Sequence, residues 1–417
     1  MRRLFQMSQG ARALGCILLL CLACAREAGA IEEEGIDLHL AGDIKGFYFS
    51  IFPYESSFLP DEPFGQAVLD LRLKLDARYG SSVRVDLHHQ LTTTTVSALG
   101  LGDGLMAPAQ GERDLPQAVD LSWRATDDPS HTIEGRMDRL AVRLRFPTFH
   151  LVAGRQAVTF GRAYFFTPLD LVAPFSPLVV DREYKPGIDA VRADYFFGVG
   201  GQVTALAAYA GSWETDGLIF AGRAGMTLAG WDLALFSAAA HRDFVLGLES
   251  SGAAGPVSVR AEGTLTFPSG DEDDPFVRAV AGADHLLLAG KLQLTGEVYM
   301  QTIGVDDPAD ILELAMTERY LRNELWTMGR WYTAVSARYE LSPLIHVSGF
   351  GVINLADPSA LIGPGLSWSI ADSAHLVAGA YLALGDRPEE EVPFMVEPKS
   401  ELGLYPSTAY VAIQSYF

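Results

Sequence analysis

The chain has 417 residues, with 31 basic against 52 acidic side chains, a formal net charge of −21 and a hydrophobic content of 49%. So acidic a balance argues against a nucleic-acid ligand, because neutralising phosphates takes a basic surface. The three cysteines, Cys16, Cys21 and Cys24, all lie before residue 25, which leaves no disulfide, thiolate metal site or cysteine nucleophile for whatever follows.

Arg2, Arg3 and Arg12 precede an apolar run from Gly15 to Ala25, and Ala28, Gly29 and Ala30 follow as small residues, which together make a cleavable export signal. The run is too short to span a bilayer as a helix, which takes about 20 residues. Residues 1–30 are expected to be a signal peptide and 31–417 the mature chain. Acylation on Cys24 is the competing reading, and Cys21 and Leu22 fit it poorly. Processing removes four Arg and one Glu, leaving 27 basic against 51 acidic residues and a net charge of −24. Few residues separate the cleavage site from the first strand, so neither an N-terminal plug nor a periplasmic domain is expected.

After residue 30 no segment has 18 uninterrupted apolar residues; the hydrophobicity sits on alternate positions instead. Leu69, Leu71, Leu73, Leu75 and Ala77 alternate with Asp70, Arg72, Lys74, Asp76 and Arg78, as strands wet on one face do. Val83, Val85 and Leu87 alternate with Arg84, Asp86 and His88, and Leu140, Val142 and Leu144 with Arg139, Arg143 and Arg145. Val257 to Glu262 and Leu292 to Val298 repeat the pattern. Strands are predicted near 36–50, 66–79, 82–94, 133–146, 149–160, 187–197, 200–211, 220–228 and 230–241. Nine more are predicted near 244–250, 256–267, 276–288, 291–301, 330–341, 344–356, 360–371, 374–385 and 407–417. That makes eighteen, within a range of 16 to 20.

A soluble sandwich alternates too, so the pattern alone does not put the apolar side in lipid. The export signal, the many strands without a helical domain and the C-terminal Phe417 tilt the choice to a transmembrane antiparallel β-barrel of the outer membrane. Brief links such as Gly80-Ser81, Pro147-Thr148 and Asp372-Ser373 then fall on the periplasmic side. Long ones at 95–132, 161–186, 302–329 and 386–406 fall outside. Ala118 to Arg124 would break the alternation as a wall strand and is expected to be a hairpin arm or lid. Acidic runs at 271–274 and 389–391 read as solvated loop tips.

A barrel of this size leaves an aqueous lumen unless something fills it. The segment at 161–186, with Phe165-Phe166-Thr167-Pro168-Leu169-Asp170 and Pro174-Phe175-Ser176-Pro177, is too apolar and Pro-rich for a solvated tip and is expected to fold inward as a constriction loop. With Gly154-Arg155-Gln156 before it, residues 138–194 resemble the porin-like outer-membrane barrels related to alginate-export channels, whose members carry a Gly-Arg-Gln strand and an inward loop with a Pro-Leu-Asp core. The resemblance implies a channel in an outer membrane.

Arg72, Arg84 and Arg143 take the non-lipid parity, and Arg155 and Arg192 are expected to join them. Asp170, Asp181, Glu183 and Asp189 could stand opposite and set a field across the passage. Arg155, Arg162, Arg182 and Asp170 are the candidates for the narrowest part. The bland alternative is that these charges pair to pin the loop to the wall, since buried charges need partners. His88 and His89 point to opposite faces and make a poor metal pair. No Gly-x-Ser-x-Gly turn suggests a hydrolase. Tyr79, Phe146, Phe160, Trp231, Trp331, Tyr339 and Tyr416 read as interfacial girdle residues. The expected function is a passive or weakly selective channel for small hydrophilic solutes, with no catalytic residue, metal or cofactor. Its expected partners are outer-membrane lipid and lipopolysaccharide around the wall and small solutes or ions within. The rival is a non-conducting barrel that binds or exports surface polysaccharide.

Overall fold

The computed structural model describes residues 30–33, 35–56, 59–97, 115–126, 128, 130–172, 183–269, 274–322, 324–392 and 395–417. The expected leader lies outside the described residues except for Ala30, as do Asp181, Arg182 and the acidic run 271–273.

Eighteen wall strands are described: β1 Ile36–Phe52, β2 Phe64–Tyr79, β3 Val83–Val96, β4 His131–Arg145, β5 Phe149–Gln156, β6 Ile188–Phe197, β7 Gly201–Tyr209, β8 Leu218–Leu228 and β9 Trp231–Ala240. They continue as β10 Asp243–Ala254, β11 Val257–Phe267, β12 Phe276–Leu287, β13 Leu292–Gln301, β14 Trp331–Ser342, β15 Ile345–Asn354, β16 Ser359–Ala371, β17 Ala374–Leu384 and β18 Ser407–Tyr416. Each pairs antiparallel with its neighbours in sequence, and β1 pairs with β18 from Asp43↔Tyr416 to Phe52↔Ser407, which closes the cylinder. Closure matters because a sheet in lipid cannot leave an edge of unpaired backbone groups.

The alternation read from the sequence fixes what faces each way. Leu73, Leu140, Leu235, Leu248, Val298 and Leu382 stand exposed on the outer face. An apolar belt this extensive is stable only against acyl chains. Tyr79, Phe146, Phe149, Tyr195, Phe197, Trp231, Tyr339 and Trp368 are exposed near the short-turn end, and Trp331 near the other. These are interfacial positions. The short links between β2 and β3, β4 and β5, and β6 and β7 all lie at one end, and the long connections at the other. Gly80 and Gly198 take φ of 57° and 55° in these turns, a conformation glycine adopts without Cβ strain.

Three departures from strict alternation matter. First, a register shift sets His88 opposite Arg139 and His89 opposite Met137, so Asp138 is a bulged residue and both Asp138 and Arg139 are buried. Secondly, β5 stops at Gln156, four residues short of its expected end. Phe160, expected in the girdle, is instead buried inside, its ring 5.1 Å from that of Phe236. Tyr416 also differs from that expectation, because its hydroxyl turns inward to Glu183. Thirdly, Ser122–Arg124 forms a three-residue strand paired with Arg136–Glu134 of β4, at the level where β5 has left the wall. The segment expected as a hairpin arm or lid is thus a hairpin arm against β4.

Candidate functional site

The connection between β5 and β6 folds inward. Its first half crosses to the far wall, where carboxylates on β11 and β13 receive its backbone. Glu297 accepts hydrogen bonds from the amides of Tyr164 at 2.6 Å, Phe165 at 2.8 Å and Phe166 at 3.2 Å. Glu262 accepts from the amides of Arg162 at 2.7 Å and Ala163 at 3.4 Å. Five consecutive N–H groups are therefore held by two side chains, which answers how a non-helical segment satisfies its backbone inside a barrel. Phe166 stacks on Tyr299 with ring centroids 4.7 Å apart. Leu169, 1% exposed, joins the buried cluster of Leu206, Ile219, Phe236 and Val245. The apolar character that made this segment unfit as a solvated tip is spent on these contacts.

The loop returns along the opposite wall. Glu183 receives hydrogen bonds from Lys45 at 2.7 Å and from the Tyr416 hydroxyl at 2.8 Å. Tyr184 lies under the guanidinium of Arg72, 3.8 Å from its ring centroid, and that of Arg139, at 4.4 Å. Tyr184 also hydrogen-bonds to His88, which is held in turn by Asp76 at 3.2 Å. Burial works to raise the Glu183 carboxyl, but the hydrogen bonds from Lys45 and Tyr416 and the Lys45 charge outweigh it and hold it below its ordinary range. Burial pushes the Tyr184 phenol well above its ordinary range, against the pull of Arg139.

The residues singled out from sequence fall into several groups. Arg72 pairs with Asp138 at 3.2 Å and is buried. Arg84 pairs with Asp86 at 2.5 Å and Asp76 at 3.1 Å, and Arg143 pairs with the same Asp86, with 37% and 40% of their side chains exposed. Arg192 pairs with Asp194 at 3.0 Å on β6. These arginines line one wall. Arg162 lies on the other, bonded to Asp232 at 2.7 Å, Ser251 at 2.8 Å and Glu249 at 2.8 Å, with 43% of its side chain exposed. Asp170 is buried against Lys185, a tie within the loop.

Arg155 has a different setting. It is 3% exposed and in register with Leu140, which stands on the outward parity, and with Asp189. Its guanidinium donates to Asp189 at 2.8 Å, Gln117 at 2.7 Å, the Met137 carbonyl at 3.0 Å and the Val119 carbonyl at 2.6 Å. Asp189 also accepts from the Ala118 amide at 2.8 Å. The pair sutures residues 117–119 to the wall beside the short strand that fills in for β5.

Sequence reasoning placed Glu262 and Glu297 on the inner parity but gave no sign that they hold a loop. Glu401 was missed altogether. Only 2% exposed, it accepts from the amides of Met328 at 2.9 Å and Gly329 at 3.2 Å, from Asn354 at 2.8 Å and from the Tyr332 hydroxyl. Its own amide donates to Asp357 at 2.7 Å. Burial raises the Glu401 carboxyl, and the neighbouring Asp357 charge adds to that, against the hydrogen bonds it accepts. Three outer connections, 302–330, 355–358 and 385–406, meet on this residue.

Among the described residues, Glu262 Oε1, Thr264 Oγ1, Thr266 Oγ1 and Arg278 Nε are buried without a hydrogen-bond partner. Each such group costs about 1–3 kcal/mol if it is left dry.

No helix among the described residues is long and apolar enough to cross a membrane, and no group of His, Cys, Asp or Glu among them is placed to hold a metal ion. No family model matches the sequence, and no curated protein matches it significantly. Solved structures do share the fold. OccK5 (OpdH) of Pseudomonas aeruginosa superposes with a TM-score of 0.55 at 9% identity, covering 91% of this chain and 98% of that one. OccAB4 of Acinetobacter baumannii gives a TM-score of 0.55 at 6% identity over 91% and 98% of the two chains, and OprD of Pseudomonas aeruginosa 0.54 at 9% over 94% and 95%. At such identities the likeness is one of fold, and the fold is that of the porin-like outer-membrane β-barrels.

Proposed function

We propose that this chain is a passive, weakly selective channel for small hydrophilic solutes in the outer membrane of a Gram-negative bacterium, with the loop between β5 and β6 as its constriction. The observation that carries the reading is the loop itself, anchored on β11 and β13 by Glu262 and Glu297 and on β1 and β18 through Glu183. A segment pinned across the interior narrows whatever passage remains, and its charged neighbours sort what uses it. Arg84, Arg143 and Arg192 are part-exposed on one side, and Arg162, Asp232 and Asp284 on the other. Local geometry of this kind outweighs the charge of outer loops, which salt screens within about 8 Å. Together with Arg182 and Asp181, these groups are proposed to set the ion preference. No catalytic step is assigned. Lipid and lipopolysaccharide are proposed to surround the wall. The likeness of residues 138–194 to alginate-export channels supports a finer placement among them.

Planar-bilayer recording tests the reading. Stepwise openings are expected, and Arg143→Glu and Arg182→Glu should each move the reversal potential toward cations. Folded protein that stays silent would instead support a barrel that binds surface polysaccharide through its outer loops.

A further inference from the structure

Strands β15, β16, β17 and β18 carry no Asp, Glu, Lys or Arg between them. The inner faces of β3, β6, β8 and β11 hold ion pairs, so this sector of the lumen is set apart as uncharged. Burial along it falls off at one level. Val352, Leu361 and Tyr381 are buried in the cluster that loop residues Phe165 and Phe166 complete, whereas Phe350 and Tyr410 are part-exposed at its edge and Ser348 is exposed.

At that level the register sets Arg338 opposite Ser348, Ser348 opposite Gly365, Gly365 opposite Gly379 and Gly379 opposite Tyr410. A serine and two glycines thus floor a trough with a guanidinium at one end and a phenol at the other. From Arg338 to Gly379 is three strand spacings, about 14 Å, which is room for one pyranose ring. The outer side of the trough is aromatic. Phe350, Tyr381, Tyr410 and Phe49 follow one another across the strands with ring centroids 5.5, 5.8 and 6.2 Å apart. Two of these rings lie against glycines of the neighbouring strand. A Cβ on Gly363 would meet the ring of Phe350, and one on Gly379 would stand 2.7 Å from Tyr410 Cζ. Gly365 stays open between them, since a Cβ there would meet only Ser348 Oγ at 2.8 Å and the Ala378 carbonyl at 3.8 Å.

Arg338 is exposed and has no ion pair or hydrogen bond among the described residues, and the Tyr410 hydroxyl has no hydrogen bond among them. Glu340 stands two residues from Arg338 on the same face, unpaired with it but near enough to offset its charge, which disfavours an anion. What suits the row is a ligand with apolar C–H groups for the negative ring faces and uncharged hydroxyls for the rim.

We propose that this row is a binding shelf for a neutral sugar ring, seated over Gly365, with its C–H groups toward Phe350 and Tyr410 and its hydroxyls on Ser348, Arg338 and the Tyr410 hydroxyl. As a step on a route through the barrel it rests on the channel reading, and it names a class of solute for it.

Saturation-transfer NMR of the processed full chain in detergent tests the proposal, with methyl β-D-glucopyranoside as the probe and sorbitol, which has hydroxyls but no ring, as the control. The glucoside is expected to bind at least about fivefold more tightly than sorbitol, because only the ring presents a flat C–H face. Gly365→Leu fills the open floor at a residue of ordinary φ and should weaken binding at least about tenfold. Phe350→Ala removes a platform and should weaken it about three- to tenfold, with the folding of both variants checked by their shift on boiling. Equal binding of sorbitol, or a folded Gly365→Leu protein that binds like the unsubstituted one, would overturn the proposal. So would displacement of the glucoside by an equal concentration of sodium acetate, which would mark Arg338 as an anion site. Binding by a barrel that stays silent in bilayers would uphold the shelf and defeat the channel reading alone, whereas stepwise openings without binding would defeat the shelf alone.

Discussion

Arg155 and Arg162 show why charge alone does not assign a role. Arg162 keeps 43% of its side chain exposed, its pair with Asp232 is wet, and its buried partner Glu249 keeps Arg223 without it, whereas Arg155 is 3% exposed and has every donor direction occupied. Exposed pairs contribute up to about 1 kcal/mol, while breaking a buried pair costs about 3–5 kcal/mol because the remaining charge is stranded. Arg155→Ala is therefore expected to lower thermal stability several times more than Arg162→Ala, measured as the temperature at which the barrel unfolds on a gel. Equal losses would mean that the suture at 117–119 is unimportant. Glu183 and Glu401 differ in another way, by the sign of their response to pH. The Glu183 carboxyl is held low, so it stabilises the loop's return above the ordinary carboxylate range and loses that contribution as pH falls through its folded value. The Glu401 carboxyl is held high, so its contribution is present at acid pH and is lost as pH rises through its folded value. Hydrogen exchange, corrected for intrinsic rates, should show residues 183–185 loosening in acid while residues 328–329 hold. Glu183→Gln should abolish the first response and leave the second.

At the scale of elements, the loop between β5 and β6 depends on the wall for the backbone hydrogen bonds of residues 162–166. Glu297 serves three of its amides. Glu297→Gln keeps one acceptor oxygen and loses the charge, so a loss of about 2–4 kcal/mol in loop docking is expected for hydrogen bonds of this kind. The barrel itself should stay folded. Single-channel traces should become noisier and the mean conductance larger, and an unchanged trace would mean that the loop is held by its aromatic packing alone. The likeness to an inward-loop barrel was legible from Phe165, Phe166 and the prolines, which needed a wall to lie against. Its anchors were not, because Glu262 and Glu297 lie about a hundred residues or more along the chain, and nothing in their own neighbourhood differs from other inner-face acids. The bulge at Asp138 was equally hidden. One inserted residue leaves the local alternation readable on either side and shifts parity only where the register with β3 is known.

For the whole molecule, closure of β1 on β18 makes stability cooperative, since no strand can leave without exposing two edges to lipid. The protein should therefore run compact on a gel when unheated and shift on boiling, with circular dichroism of a β-rich chain. Recovery as a soluble monomer without detergent, or a mostly helical spectrum, would contradict the fold. The strand number, the orientation of short and long connections and the apolar exterior were all set by the sequence, because a period of two over many segments is a local property that each strand carries by itself. What only the tertiary structure decided is which charges meet and on which side of the wall. Arg155 closes a wall, Arg162 faces a cluster of acids, and Tyr184 is seated among cations. In each case the partner comes from a distant strand, and side-chain electrostatics acts over a few ångströms of space without regard to separation along the chain.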